Sequence, residues 1–551
     1  MIVRDTTALK VLGCGMKLTG RQYLSALMVL IVLAFVPVLS VDQPFLADYP
    51  NHLARVHVWL SHISNDPVPN VEPVWALQPN MAFELVTGFL TLFMPLKHAG
   101  HGFILLTIVS LAVGPAILGR ALWKTFSFWS LLPFLFIYNR LFFWGFLGYL
   151  FSLGVAFALS SLWVASARAE RKALWFVIAT LSALLVLGLH LYAFAIFGLI
   201  NLFLTLRSAD HLSVFSKGWF YEVFYKLAPL VVALSVFALG APVFESERNI
   251  KWGPFSAKLN AFGGLLIGPN IQADLILGGL VAIVLAVILA VNGKRLKPVM
   301  DKWLLGGLVF LILIHFSMPA QLLSSYGADQ RLPIAIALLS IASLPPLDFR
   351  RQNLVDFLAI CLLAIFVFRL IYIRSDWIAH QKIHTELTQA YQQLPRKASV
   401  LSLIGTTSTH GLPRIPLTEH LGFAVIEKSV FWPGLFAYPI HGAQTIRFLN
   451  PCTIPSGIAD LQKIPLSMLN DVVAGAKKHQ NHDLIRTSSH YQYVVVIRED
   501  GLASTLPENS VFGTLHNKGD YFAIYETPFG PKNHRGQSAD SKMECDALEL
   551  Q

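Results

Sequence analysis

About eleven apolar stretches succeed one another over the first two thirds of the chain, at residues 23–41, 102–121, 127–139, 143–166, 173–189, 191–206, 227–243, 274–292, 303–318, 331–347 and 354–373. Crossing the ~30 Å hydrocarbon layer as a helix takes about 20 residues, and open backbone cannot satisfy its own hydrogen bonds there. This succession points to one fold class: an α-helical polytopic membrane protein with about eleven transmembrane helices. Composition agrees: of 551 residues, 55% are hydrophobic and only 13% charged, against roughly 25% charged in a soluble domain. The apolar run "YLSALMVLIVLAFVPVLSV" is too long for the core of a cleaved signal and reads as a retained first helix.

The formal charge of +10 is explained by sidedness rather than by nucleic acid, because lysine and arginine are retained on the cytoplasmic side of membrane spans. With residues 1–22 cytoplasmic, the clusters Arg120/Lys124, Arg168/Arg171/Lys172, Arg207/Lys217/Lys226, Lys294/Arg295/Lys297/Lys302 and Arg350/Arg351 all fall inside. That holds only if "MAFELVTGFLTLFMP", residues 81–95, does not span. It contains Glu84 and reads as a helix lying flat at the outer interface. The expected organisation is a membrane domain over 23–374, with a first outer loop at 42–101, and then an extracytoplasmic α/β domain over 375–529. In that domain "ASVLSLIG", "FAVIE", "YQYVVVI" and "YFAIYE" read as strands, and "HTELTQAYQQL" and "LSMLNDVVAGAKKH" as helices. Residues 530–551 are polar and aperiodic, the character of a disordered tail. The four cysteines form no CxxC motif; Cys452 and Cys545 are the two that an oxidising outer compartment would allow to pair.

On this topology the outer side gathers acids, histidines and arginines at several loop–helix junctions. Asp42, Asp48, His52, Arg55 and His57 follow the first span; Asn139/Arg140 and His190 sit at later turns; Glu245, Glu247, Arg248 and Lys251 follow one helix; Asp329, Arg331 and Arg369 begin or end others. Charge beside a bilayer is costly unless it is wet or used, so an outer-leaflet site is expected. Each residue also has a plainer reading. Asp48 before Tyr49–Pro50 suits a helix cap, with Leu53, Val56, Trp59 and Leu60 as the apolar stripe. His190 suits a hydrogen-bonded turn, Arg331 suits snorkelling to headgroups, and "ESERNIK" a solvated loop. His52 and His57, at i and i+5, do not share a helical face as metal ligands would. Trp59, Trp75 and Trp252 suit an interfacial belt or sugar stacking.

In architecture, residues 20–374 resemble the GT-C glycosyltransferases, polytopic enzymes that take sugar from polyprenyl-phosphate donors, and among them the bacterial aminoarabinose and mannosyl transferase-like members. The stretches that carry the resemblance are "DYPNHLAR" in the first loop, "LGLHLYAF", and "DQRLPIAIALL", where the family often has a basic residue ahead of a proline; "HLGFAVIEKSVFWPGLFAYP" and "GDYFAIYE" have the look of the family's outer domain. The resemblance implies a transferase of the bacterial inner membrane acting at its outer face, with a glycan, lipid or protein acceptor and no nucleic acid. It implies Asp48 as base at the acceptor hydroxyl. A guanidinium fork matches phosphate oxygens, so Arg331 and Arg369, with His190, are the candidates for the donor phosphate. Asp42, His52, Arg55, Glu247 and Arg248 are secondary candidates. A divalent metal, magnesium or manganese, would need Asp48 with Asp42 or Glu247; many family members pair acids closely in this loop, whereas here Tyr49 follows Asp48. Two other classes remain: a transporter or lipid flippase, for which His315 within "LILIHFSM" is the one mid-span ionisable residue, and a non-catalytic envelope-assembly protein.

Overall fold

A computed structural model describes residues 17–76, 78–166, 171–240, 250–292, 301–322, 325–345, 352–406, 417–438, 444–449, 463–475, 487–488 and 490–528. Glu247, Arg248, Cys452, Cys545 and the tail from 530 lie outside them. The chain divides into two compact units, Met1–Pro44 with Trp75–Ala379, and Phe45–Val74 with His380–Gln551. Much of the first loop, residues 45–74, thus belongs with the C-terminal part rather than with the membrane helices, which moves the boundary expected at 42–101.

In the first unit, eight helices among the described residues are long and apolar enough to cross a membrane: Gly20–Leu39, Leu96–Trp123, Leu147–Ala165, Lys172–Leu189, Leu191–Ser208, Lys217–Leu239, Ile271–Ile288 and the apolar part of Asp356–Tyr391. The remaining three expected spans are shorter. Lys302–Ser317 and Leu332–Ser343 are helices of 16 and 12 residues, and 127–139 is a nine-residue 3₁₀ run, Phe128–Phe136, containing Pro133. At about 2.0 Å per residue that run is near 18 Å long, too short to cross. Ala82–Leu90 is nine residues, about 13.5 Å, so this segment does not span either. Its Ala82, Phe83, Glu84 and Thr87 are buried, while Leu85 and Phe89 are exposed.

Local chemistry explains several of these starts and crossings. Thr19 and Gln22 form a reciprocal capping box at the first helix. Gly114 and Gly154 let two helices meet backbone to backbone: a Cβ on Gly114 would lie 2.0 Å from the Gly154 carbonyl oxygen, and one on Gly154 would lie 2.3 Å from Ser110. Such small-residue crossings replace the hydrophobic drive that lipid removes.

The second unit is built on a six-stranded mixed sheet. We label β1 Val71–Pro73, β2 Val400–Thr406, β3 Ile446–Phe448, β4 Lys463–Pro465, β5 Tyr493–Arg498, β6 Asn509–Ser510, β7 Gly513–Lys518 and β8 Phe522–Glu526. The order is β6-β7-β8-β5-β2-β4. β2 runs parallel to both β4 and β5, with Val400 opposite Tyr493, and β8 is antiparallel to β5. Central β2 and β5 are buried along their whole length, whereas β7 alternates, as sheet position requires. β1 pairs with β3, with Glu72 and Arg447 opposite each other and ion-paired. "FAVIE" is not a strand. It forms the helix Gly422–Lys428, closed by Ser429 in the left-handed region at φ 52°. A short apolar run does not reveal its own period, and here packing against the helix Tyr49–Ile63 decided it.

Candidate functional site

In the first unit, two of the expected residues come together although 141 positions separate them. His190 ends one helix and begins the next. Its Nδ1 accepts from the Tyr192 amide at 3.2 Å, so in the neutral ring the proton sits on Nε2. No described residue hydrogen-bonds that Nε2. The plain reading, a hydrogen-bonded turn histidine, is therefore correct for one nitrogen, and the other N–H remains to donate. Arg331 stands at the start of Leu332–Ser343, and its guanidinium carbon lies 4.6 Å from the ring centroids of both Phe146 and Tyr192. Its Nη1 donates to the Tyr326 carbonyl at 2.9 Å, and its own carbonyl accepts from the Tyr149 hydroxyl at 2.6 Å. The Tyr149 ring meets His190 edge-on at 5.3 Å. Tyr149 and Tyr192 thus tie the histidine to the arginine, and a cation this close to two aromatic rings is held by cation–π attraction to both.

Arg140 adds a third basic group. It is half-buried, and its guanidinium has no hydrogen bond or ion pair among the described residues. It lies within electrostatic reach of the Tyr326 hydroxyl. With Asn139, Gln330, Gly264, Pro333 and Ile334 it lines a shallow cleft with room for little more than a water molecule. The sequence placed Asn139/Arg140 on the outer side but gave Arg140 no role; the signal available was a lone arginine between two aromatic runs.

Arg369 is engaged differently. Its guanidinium donates to the carbonyls of Leu135, Tyr138 and Leu266, and Asp274 lies 3.6 Å away. This cross-links four separate stretches of the unit. His315 is buried with Nδ1 3.1 Å from the Asp329 carbonyl and Nε2 3.0 Å from the Lys258 carbonyl, and Lys258 pairs with Asp329 at 3.7 Å. Asp42 belongs to this unit and makes an exposed ion pair with Lys97 at 3.8 Å.

Asp48, His52 and Arg55 lie in the second unit, on or beside the helix Tyr49–Ile63. Asp48 occupies the N-cap position, with Pro50 following, yet its side chain makes no capping hydrogen bond. The cap reading is right in position and wrong in chemistry. Arg55 is buried and donates to Gln444 Oε1 and, at 2.7 Å, to His52 Nδ1, which makes His52 Nδ1 an acceptor. His57 bonds to Ser429 at 3.1 Å. Burial pushes its pKa down to about 4, against an opposing pull from Asp66. Trp59 donates to the Thr445 carbonyl, while Trp75 and Trp252 are exposed. Among the described residues no group of three or more His, Cys, Asp or Glu side chains is placed to hold a metal ion.

No sequence-family model matches the chain, and no curated protein matches it. Two solved structures are similar in overall path. ArnT from Cupriavidus metallidurans in the apo state covers 91% of this chain and 97% of its own, at 11% identity and a TM-score of 0.46. The arabinofuranosyltransferase AftD from Mycobacteria covers 93% of this chain, which spans 42% of AftD, at 14% identity and a TM-score of 0.42. What this chain does is argued from its own residues.

Proposed function

We propose that this chain is a membrane glycosyltransferase that moves a sugar from a polyprenyl-phosphate donor to a glycan, lipid or protein acceptor at the outer face of the bacterial inner membrane. The observation that carries this reading is the meeting of Arg331 and the donating Nε2 of His190 at helix junctions of the first unit, joined through Tyr149 and Tyr192. Such a grouping suits a phosphate at the edge of the lipid. In the reaction the bond between the anomeric carbon and the phosphate oxygen breaks, and the acceptor oxygen takes the anomeric carbon. The acceptor proton passes to Asp48, and the departing polyprenyl phosphate gains a negative charge. That charge is what fixed cations stabilise more in the transition state than in the ground state. Arg331 is assigned to the phosphate and His190 to a neutral hydrogen bond beside it. The bonds of Arg369 favour a positioning role over a direct one.

The transporter reading loses its motivating residue, because both ring nitrogens of His315 face backbone carbonyls rather than a path. The assembly-partner reading predicts that neither Asp48 nor Arg331 affects any transfer. Purified protein in lipid nanodiscs, given radiolabelled polyprenyl-phosphate sugars and envelope extract, tests the proposal. Label moving to an extract component, and failing to move with Arg331→Gln, supports it; no transfer from any such donor sinks it.

A further inference from the structure

The second unit raises the question of what its long segment 417–436 does for the helix that carries Asp48. Asn51, one turn along from Asp48, is fully buried, and its amide is completely used. Nδ2 donates to Glu419 Oε2 and to the Gly434 carbonyl, both at 2.8 Å, and Oδ1 accepts from the Phe436 amide at 2.9 Å. Three points of one distant segment therefore grip one side chain of the first helical turn. A separate contact fixes the backbone of the same turn. A Cβ on Gly422 would sit 2.5 Å from the Pro50 carbonyl oxygen and 3.1 Å from the Asn51 nitrogen, so only glycine lets the two backbones come this close. The far side of the segment is anchored too. His420, next to Glu419, is hydrogen-bonded to His384 Nδ1 at 3.1 Å and to the Tyr391 hydroxyl at 3.0 Å.

A structural contact needs only burial, and an alanine-sized apolar pair would supply it. Here a buried amide, a buried carboxylate and a backbone-to-backbone approach all converge on residues 50 and 51, next to an acid whose carboxylate makes no cap bond. Buried polar groups that are fully satisfied specify one geometry. We infer that Glu419, Gly422 and the Gly434–Phe436 backbone are positioning elements that hold the 48–51 turn, and through it the Asp48 carboxylate, at its working place. The inference rests on Asp48 acting as the base.

The test uses the full chain in nanodiscs with Gly422→Ala, Glu419→Ala, Glu419→Gln and Asp48→Asn. Turnover, donor KM and amide hydrogen exchange over residues 49–53 and 493–498 are read for each. A displacement of about 1 Å at a reacting group costs on the order of 100-fold. Gly422→Ala and Glu419→Ala are therefore expected to lower kcat by about 10- to 100-fold, with donor KM within about twofold, and to speed exchange at 49–53 while 493–498 stays protected. Glu419→Gln keeps an acceptor oxygen for Asn51 and is expected to match the parent. If Gly422→Ala does not fold, the two Glu419 variants decide. Unchanged kcat in the alanine variants, or faster exchange across the whole unit, overturns the inference even when Asp48→Asn is inactive. Normal transfer by Asp48→Asn overturns the base assignment itself, and this inference with it.

Discussion

Arg331 is held as only an arginine can be held. Its guanidinium carbon lies 4.6 Å from the ring centroids of both Phe146 and Tyr192, a setting that a flexible ammonium does not reproduce. Arg331→Lys is therefore expected to behave like Arg331→Gln, weakening polyprenyl-phosphate binding by about tenfold, the equivalent of about 1.4 kcal/mol; equilibrium binding of a labelled polyprenyl phosphate checks this. Asp48→Asn should leave that binding unchanged and lower kcat by roughly 10²- to 10⁴-fold, the range for removing a general base. His57 gives a pH signature independent of function. Its folded pKa of about 4 lies below the ordinary 6.5, so between those values the unfolded chain binds more protons than the folded one. Stability then falls as pH drops from about 6.5 towards 4, by at most about 3 kcal/mol. His420, buried beside His384, is shifted in the same direction. Thermal unfolding of His57→Gln at pH 7 and pH 5 is expected to show a smaller acid loss than the parent; an equal loss would assign the acid sensitivity elsewhere.

Among the elements, the helix crossing at Gly114 and Gly154 makes the sharpest demand. A methyl on Gly114 would meet a carbonyl at 2.0 Å, whereas one on Gly188 or Gly198 would meet nothing within 4 Å. Gly114→Ala should destabilise the membrane unit by about 1–3 kcal/mol, the cost of overpacking, and lower the unfolding midpoint in nanodiscs. Gly198→Ala should leave the midpoint in place. Long apolar helices were legible because length and composition alone define them. The 3₁₀ run at Phe128–Phe136 was not, since hydropathy reports greasiness and not helix type. β2, β5 and β8 were legible as short β-rich runs between turns, but "FAVIE" has the same composition, and only its packing on Tyr49–Ile63 makes it helical. Asp48 was legible as a residue at a helix start. That its carboxylate makes no cap bond depended on φ and ψ of −85° and −6°, which no sequence pattern states.

Across the molecule, the partition into two units was only half visible. The change of character after Tyr372 marked the C-terminal unit, but nothing in "VDQPFLADYPNHLARVHVWLSH" announces that its helix belongs there. The links are β1 pairing with β3, Asn51 with Glu419 and Arg55 with Gln444, each made across more than 350 positions. His190 and Arg331 were named from sidedness and from the GT-C resemblance, and the structure shows the aromatic residues that join them; Arg140 was seen and given no task. The central claim is the proposed transfer from a polyprenyl-phosphate donor, with Asp48 as base and Arg331 at the phosphate. Single-turnover transfer from a radiolabelled polyprenyl-phosphate sugar, measured beside donor binding for the parent, Asp48→Asn and Arg331→Gln, tests it most directly. The account predicts that Asp48→Asn binds donor normally but does not transfer, and that Arg331→Gln binds donor poorly. Transfer at the parental rate by Asp48→Asn, or donor binding untouched by Arg331→Gln, would contradict it.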